Sequence, residues 1–126
     1  MSVVAQEAAT RPQAAQVLGK AVTRAALRLD VSRGLLARVL GVSAATVTRL
    51  YAGSYQLDAR RKEWELALLF VRVFRSLDSL VGDEAGARQW LLSDNRALNA
   101  RPIELIAHTE GLVRVVHYRD AARGLV

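Results

Sequence analysis

The sequence predicts an all-α fold in which a helix-turn-helix subdomain is joined by a long central helix to a second, small helical subdomain. Three observations carry this. Apolar residues recur at three- and four-residue spacing along nearly the whole chain, no stretch alternates apolar with polar residues as a half-buried strand would, and Gly, Pro, Ser and Asp fall where helices start and stop. With 126 residues, 52% of them apolar, the chain is long enough to bury a core of ordinary size.

Residues 1–11 show no periodicity and read as a flexible N-terminal tail. Pro12 then opens the first helix, because the first turn has no use for the N–H that proline lacks. Leu18, Val22, Ala25 and Leu29 give it one apolar stripe, and Asp30 and Val31 end it. Ser32 is placed to cap a short helix from Arg33 to about Leu40, with Leu36, Val39 and Leu40 facing inward. Gly41 supplies the permissive backbone of a tight turn, Val42 plugs the core, and Ser43 caps the next helix, Ala44 to Ala52. Val47 and Leu50 are its inward positions, and Gly53 stands where a left-handed stop is commonest. Two short helices about a tight glycine turn are the sequence form of a helix-turn-helix, here within a domain read as residues 12–58.

Asp58 is placed to cap the longest helix, Ala59 to about Val81. Its apolar residues, among them Trp64, Leu66, Leu68, Leu69, Phe70, Val73, Phe74, Leu77 and Leu80, occupy more than one stripe. A helix apolar over most of its circumference must be covered on several sides, which in so small a chain points to dimerisation through it; the alternative is the central helix of a monomeric bundle. Gly82 and Asp83 break the run, and Asp83 caps a short helix through Trp90 to Leu92. After the loop Ser93–Arg101, Pro102 starts another helix, and Thr109 is placed to cap a last one bearing Leu112, Val115, Val116 and Tyr118. Residues 59–126 thus form a dimerisation helix followed by the second helical subdomain.

The formal charge of +6 is unevenly spread. Met1–Lys62 holds ten Lys or Arg against three acids, whereas Glu63–Val126 holds eight Arg against nine. The first half is therefore the one suited to phosphates, and the second to protein. Without cysteine the chain has no disulfides, thiolate metal sites or thiol nucleophiles. No signal-peptide pattern or membrane-length apolar run is present, so a cytoplasmic location away from membranes is expected. His108 and His117 are nine residues apart without acids at ligand spacing, and no Gly-rich phosphate loop or nucleophile elbow occurs. Neither a metal, another cofactor nor enzymatic activity is expected.

In a helix-turn-helix the second helix enters the major groove while the first crosses the backbone. With Val47 and Leu50 turned inward, Ala44, Ala45, Thr48 and Arg49 are left to the groove, with Thr46 at the side. Arg49 is the strongest base reader, able to bond guanine bidentately, and the alanines offer methyl contacts to thymine. Ser43 and the adjacent helix N-terminus suit a phosphate, and Arg33, Arg38, Arg60, Arg61 and Lys62 are candidates for flanking backbone contacts.

The stretch LLARVLGVSAATVTRLYAG, Leu35–Gly53, resembles the helix-turn-helix of Xre-type regulators. The stretch ARQWLLSDNRALNARPIELIAHTEGLVRVVHY, Ala87–Tyr118, resembles the toxin-binding domain of the Xre/MbcA/ParS antitoxins, with Trp90, Leu91, Asn95, Ala97, Leu98, Pro102, Leu105, Gly111 and Val115 in that domain's order. The resemblance implies an antitoxin that forms homodimers, represses its own operon by binding operator DNA, and neutralises a RES-domain toxin acting on NAD or using it to ADP-ribosylate a target. It further implies that the C-terminal segment blocks the toxin's NAD pocket, a role that falls here to Arg114, His117, Tyr118, Arg119, Asp120, Arg123, Leu125 and Val126. Arg119, Arg123 and Tyr118 have the chemistry to compete for sites that hold phosphates and a base. Two departures stand out: the family's usual glycines are missing from Leu98-Asn99-Ala100-Arg101-Pro102, which leaves that loop's shape open, and the recognition helix is poor in polar side chains. Without the resemblance, a stand-alone dimeric helix-turn-helix repressor fits the same residues.

Overall fold

A computed structural model describes residues 3–124, which form seven helices: α1 (Val3–Arg28), α2 (Arg33–Leu40), α3 (Ala44–Ala52), α4 (Lys62–Val81), α5 (Glu84–Leu92), α6 (Pro102–Leu105) and α7 (Thr109–Ala122). No strand occurs among the described residues, only an isolated bridge between Asn95 and Ala100. None of these helices is by itself long and apolar enough to cross a membrane.

Helix α1 departs from expectation by beginning at Val3, with Pro12 inside it rather than at its start. The preceding segment holds the good helix formers Ala5, Gln6, Glu7, Ala8 and Ala9, and a single missing N–H leaves only one carbonyl without its intrahelical donor. At the other end Asp30 takes a left-handed conformation (φ 57°), and the Val31 N–H reaches back to the Ala26 carbonyl at 2.8 Å. This wrap turns Val31 into the core.

The next two helices follow their capping residues. Ser32 accepts from the Leu35 N–H and Ser43 from the Thr46 N–H, each at 3.1 Å, while Gly41 and Gly53 are left-handed at the two C-termini. The axes of α2 and α3 turn through 105° across residues 41–43, within the range of helix-turn-helix motifs.

Helix α4 starts at Lys62 and is not capped by Asp58, correcting the expected start at Ala59. The Asp58 carboxylate accepts from the Arg60 backbone (2.9 Å) and guanidinium instead, closing a local turn that delays the helix. Similarly, Thr109 is the first residue of α7 and caps nothing; His108 holds the cap position without a side-chain bond.

One contiguous core runs from Leu18 to Val116, and α4 is its axis, packed by α1, α2, α5 and α7. Leu66, Ala67, Phe70, Val71, Val73 and Leu77 are buried by the chain's own helices. Most of the apolar surplus that suggested an intermolecular contact is therefore covered within the monomer. Only Leu68, half exposed, is left as a large apolar side chain facing outward among the described residues of α4.

The loop before α6 is closed despite the missing glycines. Asn95 and Ala100 exchange backbone bonds (3.1 and 3.4 Å), the Asn95 side chain accepts from the Leu98 N–H at 3.0 Å, and Asn99 adopts φ 57°. Asparagine tolerates the left-handed region better than most residues, so it performs the turn for which glycine is the default. Leu98 is thereby driven into the core. A different constraint operates at Gly111, in the first turn of α7. A Cβ there would overlap the Leu105 carbonyl oxygen and stand 2.7 Å from its carbon, so glycine is what allows α7 to press against the end of α6.

Candidate nucleic-acid and partner interfaces

Packing Val47 and Leu50 inward turns the opposite side of α3 to solvent: Ala44, Ala45, Thr48 and Arg49 are exposed and Thr46 is half-buried. Ser43 Oγ and Thr46 Oγ1 share a hydrogen bond at 2.9 Å, and the Arg49 guanidinium donates to Thr46 Oγ1 at 3.2 Å. Arg49 is thus tethered to the first turn of its own helix, which reduces the rotamer freedom lost on meeting a base or phosphate. Thr48 Oγ1 bonds back to the Ala44 carbonyl (3.2 Å), so that its methyl group is as available as its hydroxyl.

The flanking basic residues divide into occupied and available. The Arg33 guanidinium lies 4.2 Å from the centre of the Tyr51 ring, a cation–π contact that binds the start of α2 to the end of α3. Burial raises the Tyr51 phenol's pKa, which Arg33 partly offsets. Arg60 is engaged by Asp58, whose carboxyl its hydrogen bonds hold below the usual range. Arg38 is exposed. Lys62 lies 3.6 Å from the Glu65 carboxylate across an exposed pair, whereas Arg61 is available; both join Ser43, Thr46 and Arg49 around a polar cleft of about 510 Å³ at the N-terminal end of α3.

What fixes that cleft escaped sequence reasoning. Glu63, only 5% exposed, accepts from the Tyr55 hydroxyl at 2.6 Å and from the Asp58 N–H at 3.1 Å, so it pins the segment between α3 and α4 at two points. Burial, then the Glu63 hydrogen bond, raises the Tyr55 pKa. The sequence marks Glu63 only as an acid near a helix start; nothing local pairs it with a tyrosine eight residues earlier.

On the second interface, the C-terminal candidates do not form one exposed set. Arg119 and Asp120 are buried. Arg119 Nε donates to Ser76 Oγ at 3.2 Å, and its guanidinium lies 5.1 Å from the centre of the Trp90 ring. Trp90 in turn stacks on Tyr118, with ring centres 6.3 Å apart. Burial lowers the Arg119 pKa. Asp120 receives two bonds from Arg72 of α4, the shorter at 2.6 Å. Arg114 bonds the Leu98 carbonyl at 2.9 Å, which secures the Asn95–Ala100 loop to α7. His117 and Arg123 are exposed and Tyr118 is half-buried, while Leu125 and Val126 lie outside the described residues. Arg119 and Asp120 therefore anchor α7 to α4, and the exposed positions are carried by that anchored helix.

Among the described residues no three His, Asp or Glu side chains are grouped to hold a metal ion. Comparison with known families divides the chain as its surfaces do. Residues 8–72 match the antitoxin Xre-like helix-turn-helix domain, and residues 76–124 match the antitoxin Xre/MbcA/ParS C-terminal toxin-binding domain. No curated protein matches the chain. The two matched segments meet inside α4, whose helix is unbroken from Lys62 to Val81.

Proposed function

Because this chain belongs to the Xre/MbcA/ParS antitoxin family, an antitoxin carrying a helix-turn-helix, we propose that it neutralises a RES-domain toxin that consumes NAD or uses it to ADP-ribosylate a target. Inhibition is by steric occlusion of the toxin's active site. The observation that carries this reading is the anchoring of α7: with Arg119 and Asp120 held against Ser76, Trp90 and Arg72, the end of the helix stands on a fixed base. His117, Tyr118, Arg123, Leu125 and Val126 are the contacting residues on this reading, and Arg114, Arg119 and Asp120 fix the helix that carries His117 and Tyr118.

The same protein acts in the cytoplasm as a homodimer that binds its own operator and represses its operon. Ser43, Ala44, Ala45, Thr46, Thr48 and Arg49 face the major groove, with Arg33, Arg38, Arg61 and Lys62 along the backbone. Exposure of that face of α3 and the basic cleft beside it support this assignment.

The test is NAD loss by a RES-domain toxin in the presence of full-length chain or chain truncated after Ala122, a cut that spares the Arg119 and Asp120 anchors. Inhibition by full-length protein alone supports occlusion by the tail. Inhibition by both moves the contact to the α5–α7 surface, and inhibition by neither leaves a stand-alone repressor.

A further inference from the structure

We infer that a groove between α1 and α4 seats a second copy of this chain, packed about a two-fold axis passing beside Val17. The inference rests on the homodimeric reading above and adds which surface makes the dimer.

The groove, of about 780 Å³, runs between one face of α1 and one stripe of α4; Leu18 and Val71 line it together with Val17, Trp64 and Leu68. Val17 is 69% exposed and Leu68 50%, values unusual for apolar side chains on either side of an apolar hollow. A contact between identical copies about a two-fold axis uses the same patch on both, so the patch must offer a projection and a recess together. Val17 projects beside this recess.

The order of residues along α1 favours a second copy over an unrelated partner. Ala14, Val17, Leu18 and Ala21 read small, large, large, small in either direction, symmetric about the midpoint of Val17 and Leu18. Two antiparallel α1 helices crossing there set Ala14 of each copy opposite Ala21 of the other and bring the two Val17 side chains together. The alanines allow the close approach that lets the exposed valine enter the recess.

Charge is compatible with this arrangement. Pro12 shares a cleft with Trp64, and the Arg28 guanidinium lies over Phe74, so α1 and α4 run in the same sense. Arg72 and Arg75 therefore sit toward one end of the groove, and Arg123 reaches it from the end of α7. Arg72 is already paired with Asp120, and the two-fold axis sends the Arg75 of the two copies to opposite ends instead of against each other. Two adjacent helices of this length offer a footprint on the order of 600 Å², the lower bound for one side of a stable interface.

Size-exclusion chromatography with light scattering on the full chain tests this. The expected mass is twice 13.8 kDa. Val17→Glu places two carboxylates at the axis and weakens the dimer by about 100-fold or more, shifting the mass to 13.8 kDa while the helical circular dichroism stays unchanged. Because the chain has no cysteine, Val17→Cys reports proximity directly: a short bis-maleimide links it into covalent dimers, whereas Leu27→Cys, 68% exposed on the same helix outside the groove, stays unlinked. A wild-type chain that is monomeric at every concentration overturns the homodimeric reading itself. A wild-type dimer that survives Val17→Glu and links through Leu27→Cys overturns the surface alone.

Discussion

Removing either partner of the Arg72–Asp120 pair should destabilise the protein, but by unequal amounts. The Asp120 side chain is 8% exposed and that of Arg72 is 54% exposed, with their closest atoms 2.6 Å apart. In Arg72→Ala the carboxylate stays buried with neither of its guanidinium bonds, and such an uncompensated charge costs about 3 kcal/mol or more. In Asp120→Ala the freed guanidinium already has half its surface in water and resolvates, so the loss is nearer the ~1–2 kcal/mol of a charge-assisted hydrogen bond. Urea unfolding of both variants and the double variant measures this. With a slope of about 1–3 kcal/mol/M, Arg72→Ala should lower the midpoint by roughly 1–3 M and Asp120→Ala by about half as much. The double variant should be less damaged than the two single losses combined, because removing the cation costs little once the carboxylate is gone. Equal losses in the two single variants, or strict additivity in the double one, would refute the reasoning that burial of Asp120 sets the cost.

Other outcomes follow from the same geometry. Gly111→Ala forces a methyl group into the Leu105 carbonyl and should cost about 1–3 kcal/mol, seen as a fall in melting temperature; an unchanged value would mean that α6 yields freely. Arg61→Ala should reduce the slope of log affinity against log salt for operator DNA by about 1, whereas Arg60→Ala, whose guanidinium is engaged by Asp58, should change it less; the reverse order in a salt titration would overturn the division between occupied and available cations. Tyr55 has a pKa raised above 10, so its protonated phenol contributes in full below pH 10 and the contribution is lost as pH climbs through the folded-state value. Stability measured from pH 9 to 11 should fall less in Tyr55→Phe than in wild type, and an identical alkaline decline would assign that loss to Tyr51 or to other groups.

The helices were legible because their ends are written locally. Ser32, Ser43 and Asp83 each accept a bond from the N–H three residues on, and Gly41, Gly53 and Gly82 are left-handed as a C-terminal stop requires. Misreadings arose where one residue serves two competing structures. Pro12 suits a first turn but is tolerated inside a helix flanked by strong formers, and Asp58 can cap a helix or bind its own loop. The exposed face of α3 followed from placing Val47 and Leu50 inward. The fate of Arg119 and Asp120 did not, because their partners, Ser76 and Arg72, lie 43 and 48 residues earlier. A charged run near a chain end looks solvated unless the fold is known to bring counterparts beneath it.

The unbroken course of α4 through the meeting point of the two matched segments makes the protein behave as a shaft rather than as two beads on a thread. Every residue added to or removed from that helix turns one end relative to the other by about 100° and moves it about 1.5 Å. A toxin held at α7 would therefore ride on the operator at an azimuth set by helix phase, with no slack to absorb an insertion. On the proposed function, an insertion near residues 72–76 would alter which side of the DNA the captured toxin occupies before it touched a single base or toxin contact.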